Sequence, residues 1–86
     1  MDCALEIKKF MNEKNINIAS FVRDLKKANP DDLFAKKLTQ QKLYLSFAKK
    51  RPLRLEELVL IIVQLKKQYP EVSADMFINI NSIKNN

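Results

Sequence analysis

Apolar residues in the first third of the chain recur at the three- and four-residue spacing of an α-helix. The two sets are Cys3, Ile7, Phe10 and Met11, followed by Ile18, Phe21, Val22 and Leu25. This spacing places each set on one helical face. Asp2 and Asn17 stand in front of the two sets and can serve as N-caps. The pattern therefore predicts helices over about residues 2–14 and 17–27, the second ending ahead of Pro30.

Two further helices are predicted in the middle of the chain. Residues 31–38 begin with two aspartates, whose charge suits the start of a helix, and they predict a short one. Thr39 offers a hydroxyl cap to a helix that we expect to run to about Arg51, where Pro52 stops it. The buried side is expected at Leu43 and Phe47, and the outward side at Gln41, Lys42, Leu45 and Lys49.

The most apolar segment of the chain, over residues 55–69, predicts its most buried helix. One apolar stripe consists of Leu55, Leu58, Val59, Ile62, Leu65 and Tyr69. The central run 58–63 could form a buried strand by its β-branched content, but the helical period extends on both sides beyond the length of a strand. Leu60, Ile61 and Val63 widen the stripe past what a small monomer can bury, which predicts a homodimer surface.

Taken together, these patterns predict an all-α fold, a compact bundle of five to six short helices. Beyond Pro70, Ser73 is expected to cap the last short helix, with Ile80 packing behind it. A chain of 86 residues has room for one modest core, so we expect a single domain over residues 1–78. Residues 79–86 are predicted to be a polar tail.

The composition argues against several classes of function. The chain has no His, no Gly and a single cysteine, Cys3. Without His, histidine-based catalysis and Cys-His zinc sites cannot be built, and without Gly a phosphate-cradling loop is improbable. The longest apolar run, over 58–63, is too short to cross a bilayer. We therefore expect a cytoplasmic protein that is not an enzyme, binds no cofactor or metal, and does not enter a membrane.

Positive charge is concentrated in one part of the chain. The net charge is +6, and seven of the sixteen basic residues lie in the range 33–55, which contains no acidic residue. Near its centre, Thr39 starts a helix whose first turn carries two glutamines and a lysine. Amide and cationic groups raised at a helix start are suited to reading a nucleic acid groove. The plainer alternative is a solvated basic helix in a small domain.

Four short segments resemble the second half of a lambda-repressor-like, Cro-type helix-turn-helix domain. They are Thr39-Gln40-Gln41-Lys42, Arg51-Pro52, Leu55-Glu56-Glu57-Leu58 and Val72-Ser73-Ala74-Asp75-Met76-Phe77. In that family a recognition helix beginning with Gln is followed by a basic loop containing Pro, an apolar fourth helix and a short fifth helix. Residues 13–17 resemble the junction between the first two helices, with Asn15 where the family commonly has Gly. The resemblance covers residues 4–78.

The resemblance implies that Gln40 and Gln41 contact bases or phosphates. Charge and position add further residues, so the predicted DNA-binding set is Thr39, Gln40, Gln41, Lys42, Lys49, Lys50, Arg51 and Arg54. The chain departs from the family where a tight turn normally joins the scaffold and recognition helices. Either residues 17–27 are the scaffold helix and an insertion follows, or residues 31–38 are the scaffold helix.

Two functions of different class follow from these features. The first is a transcriptional regulator of phage, plasmid or bacterial type that occupies an operator, with a dimer on a two-part site and double-stranded DNA, or alternatively RNA, as its partner. The second is a helical interaction module that docks a protein through the apolar helix over 55–69. Salt distinguishes them, because phosphate binding weakens steeply as salt is added and apolar docking does not.

Overall fold

A computed structural model describes residues 3–77, and within that range the chain forms five α-helices, one short 3-10 helix and no strand. The α-helices are α1 (Cys3–Glu13), α2 (Ile18–Ala28), α3 (Leu33–Lys37), α4 (Gln40–Phe47) and α5 (Leu55–Gln68), and the 3-10 helix is Ala74–Met76. The prediction of an all-α bundle is confirmed. The predicted cap at Asp2, the packing of Ile80 and the tail over 79–86 lie outside the described residues.

Three of the helices begin at a side chain that accepts hydrogen bonds from the first turn. Asn17 Oδ1 accepts from the Ser20 amide at 2.9 Å, and Thr39 Oγ1 accepts from the Lys42 amide at 3.1 Å. Asp32 Oδ1 accepts from the amides of residues 34 and 35 at 2.9 and 3.0 Å. These contacts satisfy donors that the helix itself leaves free. Ser73 occupies the N-cap position of the 3-10 helix as predicted, but its side chain makes no capping hydrogen bond.

Helices α1 and α4 end with the same backbone arrangement. Asn15 has φ of 55° and Lys49 has φ of 63°, both in the left-handed region. The amide that follows each of them donates a hydrogen bond back to the helix. The Ile16 amide donates to the Met11 carbonyl at 2.9 Å, and the amide of residue 50 donates to the carbonyl of residue 45 at 2.9 Å. This is the Schellman arrangement, which satisfies terminal carbonyls and normally uses Gly at the left-handed position.

The end of α4 corrects one prediction. The helix was expected to continue to about Arg51, but it ends at Phe47 because the left-handed backbone of Lys49 cannot continue a right-handed helix. Residues 48–54 therefore form a loop, and the loop carries most of the basic groups that were predicted on the helix. The loop leads directly into α5.

The hydrophobic core lies around α2, which packs against α3, α4 and α5, while α1 packs against α4. Its largest fully buried apolar side chains are Ile7, Met11, Leu25, Leu38, Leu43, Ile61, Leu65, Val72 and Phe77. At the far end of α1, the Phe10 ring meets the rings of Tyr69 and Phe77 edge-on at centroid distances of 5.5 and 5.8 Å. These contacts fasten the C-terminal part of the fold to α1, and edge-on pairs of this kind add stability beyond burial.

Helix α5 buries only part of the apolar stripe predicted for it. Leu58 and Leu65 are buried, and Ile62 and Tyr69 pack against the core, as expected. Ile61 is fully buried, whereas Leu55, Val59 and Val63 are 66%, 52% and 50% exposed. The reason is that two polar residues, Glu57 and Gln64, occupy the buried face together with leucines. Counting apolar residues alone could not assign that face. Ile61 is therefore removed from the predicted homodimer surface, and Leu60 is partly buried against the core, so Val63 is the exposed member of that set. Leu55 and Val59, which were predicted on the buried stripe, are exposed on the same helix.

Replacing Lys49 by Gly should raise the free energy of unfolding by about 1 kcal/mol, because Gly adopts the left-handed conformation without the steric penalty of a Cβ. Lys50→Gly is the matched control, since residue 50 has negative φ and gains nothing from Gly. Urea denaturation monitored by circular dichroism measures both. Equal effects of the two substitutions would contradict the assignment of strain to Lys49.

Candidate nucleic-acid interface

The first turn of α4 presents polar side chains to solvent. Gln40 and Gln41 are exposed, and the Thr39 cap fixes the direction of the turn. Gln40 Nε2 lies 3.4 Å from the Tyr44 hydroxyl, a weak contact along the exposed face. Tyr44 is thus an exposed residue of this face. Gln41, one position on, keeps an amide that can both donate and accept a hydrogen bond.

Lys42 is held more firmly than the glutamines. It is partly buried, and its Nζ donates to the carbonyl of Lys37 at 2.9 Å. That carbonyl belongs to the last residue of α3, where negative partial charge collects at the helix end. Because an ammonium group has three donors, Lys42 retains others for an external partner.

The loop over 48–54 carries four basic residues in two different environments. Lys49, Lys50 and Arg54 are exposed. Arg51 is only 21% exposed and points inward, where its guanidinium meets Glu57. The structure therefore places three of the predicted loop residues at the surface and the fourth largely within the protein.

The contact of Arg51 with Glu57 is the tightest ion pair among the described residues. Arg51 Nη2 donates to Glu57 Oε2 at 2.6 Å, and Arg51 Nη1 donates to the Ser46 Oγ at 3.0 Å. The second carboxylate oxygen, Glu57 Oε1, accepts from the Arg54 amide at 3.0 Å. One buried carboxylate thus joins the end of α4, the loop and the start of α5. The charge of Glu57 is thus balanced by Arg51 of the same loop.

Sequence reasoning placed Glu57 at a helix start but missed its burial and its partner. The signal was present in the spacing, because Glu at the third helical position commonly reaches back to the amide of the N-cap residue, here Arg54. Ser46 carried no comparable signal. Its hydroxyl matters only because Phe47 ends α4 and the chain turns back past it.

The loop and α4 border two depressions that share Arg51. One, of about 580 Å³, lies between the loop and the start of α1 and includes Lys49 and Lys50 in its lining. The other, of about 380 Å³, lies beside α3 and α4 and includes Lys42 and Arg54. Arg51 lines both depressions. We call the predicted residues that reach solvent around them the basic surface, namely Gln40, Gln41, Lys42, Lys49, Lys50 and Arg54.

The two candidate scaffold segments differ in what they contact. Helix α2 packs against α4, whereas α3 packs against α2 and α5. Only residues 38 and 39 separate α3 from α4. Helix α3 is a single short turn-and-a-half, so it occupies part of the connection between α2 and α4.

Comparison with protein-family models, with curated proteins and with solved structures finds no match to this chain. Over residues 3–77, no helix combines the length and apolar character needed to cross a bilayer. In the same range, no three His, Cys, Asp or Glu residues come together in a group that could hold a metal ion. The functional argument therefore depends on the geometry and charge of the basic surface.

Replacing Arg51 by Met should lower the free energy of unfolding by about 3 kcal/mol, because it leaves the Glu57 carboxylate buried without its charged partner. The matched control is Lys9→Met, which breaks the exposed pair of Lys9 with Glu6 and should change stability by less than about 0.5 kcal/mol. Urea midpoints of both variants measure the difference. If Arg51→Met is as mild as the control, the ion pair does not organise the loop.

Proposed function

We propose that this protein binds double-stranded DNA through the basic surface and acts as a small transcriptional regulator by occupying its site. The observation that carries the proposal is the exposed glutamine pair at the capped start of α4, a helix whose other end leads into a loop with exposed cations. Amide side chains at a helix start are suited to base edges, and flanking cations are suited to phosphates. An eight-residue helix is about 12 Å long, comparable with the width of the major groove.

Different residues of the predicted set take different parts in this proposal. Gln41 reads a base edge, because its amide is exposed on the first turn of α4. Lys49, Lys50 and Arg54 contact phosphates on either side of the groove. Arg51 acts as a positioning residue, since its guanidinium is already engaged with Glu57. Thr39 fixes the first turn through its cap.

The packing also favours one of the two scaffold assignments. In helix-turn-helix proteins the scaffold helix supports the recognition helix directly. Helix α2 packs against α4, so we assign α2 as the scaffold and treat residues 29–38 as an inserted connection. The short helix α3 then lies in that insertion.

Replacing Gln41 by Ala should relax sequence preference by about 1 to 3 kcal/mol while leaving nonspecific binding intact. Neutralising the loop by Lys49→Asn, Lys50→Gln and Arg54→Gln together should weaken all duplexes alike and reduce the salt slope by about three. Fluorescence anisotropy with labelled duplexes over a range of salt measures both effects.

The control for the loop variant removes the same charge elsewhere, by Lys8→Gln, Lys9→Gln and Lys27→Gln, all exposed positions outside the basic surface. If both triple variants bind duplex equally well at low salt, the basic surface is an ordinary solvated face. The interaction-module function would then be preferred.

We further propose that α5 pairs with α5 of a second copy in antiparallel orientation. Val59 and Val63 are one turn apart on the exposed face, and Leu55 extends their stripe. A two-fold axis near residue 61 sets Val59 against Val63 of the partner subunit. The same axis sets exposed Glu56 beside Lys66 of the partner subunit, so opposite charges meet at both ends. A parallel pairing would bring like charges together.

Val63→Glu should abolish this self-association, because it introduces a charge at the centre of the paired stripe. Leu33→Glu is the control, since Leu33 is 66% exposed, against 50% for Val63, but lies on α3. Sedimentation equilibrium at about 10 to 100 μM compares them with the natural chain, a range suited to modest interfaces. A natural chain that stays monomeric throughout contradicts the dimer.

The exposed stripe also favours a second candidate function, the docking of another protein on α5. The observation in its favour is that Leu55, Val59 and Val63, each at least half exposed, lie along a single helix. Such docking should persist at high salt and should be lost in Val63→Glu, whereas duplex binding weakens with salt.

A further inference from the structure

The depression beside α3 and α4 gathers basic residues from three parts of the chain. It has a volume of about 380 Å³, and its lining includes Lys37 of α3, Lys42 of α4 and Arg54 of the loop. Arg51 and Glu57 also line it. We call this depression the α3 cleft. Lys37 belongs to no part of the predicted DNA-binding set.

The charges inside the α3 cleft do not cancel. Glu57 is the one acidic residue in its lining, and it is bound to Arg51 at 2.6 Å. That pair leaves Lys37, Lys42 and Arg54 as cations without an acidic partner in the cleft. Three like charges around one concave space repel each other, and an anion between them removes the repulsion.

One of the three cations makes a hydrogen bond within the protein, and the backbone of a second is anchored, before any ligand arrives. The Lys42 ammonium is fixed by its bond to the Lys37 carbonyl at 2.9 Å, and it keeps donors for another acceptor. The Arg54 backbone is anchored by the hydrogen bond that its amide donates to Glu57 Oε1 at 3.0 Å. Arg54 therefore starts from an anchored backbone, and its planar guanidinium suits two oxygens of one anion.

We propose that the α3 cleft binds a single phosphate group, with Lys37, Lys42 and Arg54 as its ligands. The proposal rests on the proposed function, and it identifies the group as a phosphodiester of the duplex backbone, with free phosphate as the alternative source of the same chemistry. A tetrahedral anion offers oxygens in several directions, which matches cations that approach from a helix end, a helix side and a loop.

This phosphate site would assign a role in DNA binding to the inserted connection between α2 and α4. Phosphate contacts fix the register of a protein on a duplex without reading its sequence. A phosphate held by Lys37 lies beside the first turns of α4, because Lys42 joins both. The insertion thus supplies an anchor next to the helix that reads bases.

Phosphate binding can be measured on the intact chain by titrating inorganic phosphate into the ¹⁵N-labelled protein while sodium chloride keeps the ionic strength constant. The variants are Lys37→Gln and Arg54→Gln. The matched control is Lys36→Gln, which makes the same charge change one residue away, at an exposed position outside the cleft lining. We expect saturable amide shifts near residues 37, 42 and 54 in the natural chain and the control, weakened at least about threefold in both variants, since each loses one charged contact.

A parallel anisotropy titration uses a duplex whose ends carry hydroxyl groups, so that its only phosphates are internal diesters. A loss of duplex affinity in Lys37→Gln that exceeds the loss in Lys36→Gln assigns the cleft to the nucleic acid backbone. Saturable phosphate binding that depends on Lys37, without any duplex binding, supports the cleft with free phosphate as the source and overturns the proposed function. Duplex binding in which the two lysine variants are indistinguishable, or phosphate shifts that never saturate in the natural chain, overturns the cleft.

Discussion

The arrangement of the basic surface depends on the contacts that the buried Glu57 carboxylate makes with the loop. The carboxylate accepts from the Arg54 amide with one oxygen and binds the Arg51 guanidinium with the other, and Arg51 in turn reaches Ser46. A buried charge is unfavourable unless it is paired and hydrogen-bonded, so the chain must bring these groups together whenever α5 is formed. The result is a loop whose base is fixed from inside, which leaves Lys49, Lys50 and the Arg54 side chain directed to solvent.

This constraint also explains why the backbone of Lys49 is left-handed. If α4 continued to Pro52, Arg51 would belong to a rigid helix and could not turn back to Glu57 and Ser46 together. The Schellman turn that ends α4 places residue 49 in the left-handed region, where Gly is usual, and this chain has Lys49 there. Strained residues of this kind are concentrated at functional sites, which agrees with the proposal that the loop contacts phosphates.

Local signals in the sequence predicted the helices well, and long-range ones were missing. Asn17 and Thr39 cap the helices they were expected to cap, because capping depends on residues three positions apart. The buried face predicted for α5 was wrong at Leu55 and Val59, since burial of Glu57 depends on Arg51 and burial of Gln64 depends on packing. The basic surface shows the same division between local and long-range signals. Its glutamines and exposed cations could be predicted from composition and a helix start. The inward direction of Arg51 and the nearness of Lys37 to Arg54 depend on the tertiary structure.

The central claim is that duplex DNA binds the basic surface and leaves the exposed stripe of α5 to other contacts. Addition of a duplex to the ¹⁵N-labelled protein at low salt tests this most directly, because amide shifts locate the contact residue by residue. The account predicts that the largest shifts fall within residues 37–54, centred on Gln41 and the loop, and that they reverse as salt is added. Shifts centred on Leu55, Val59 and Val63, or no shifts at all, would contradict it.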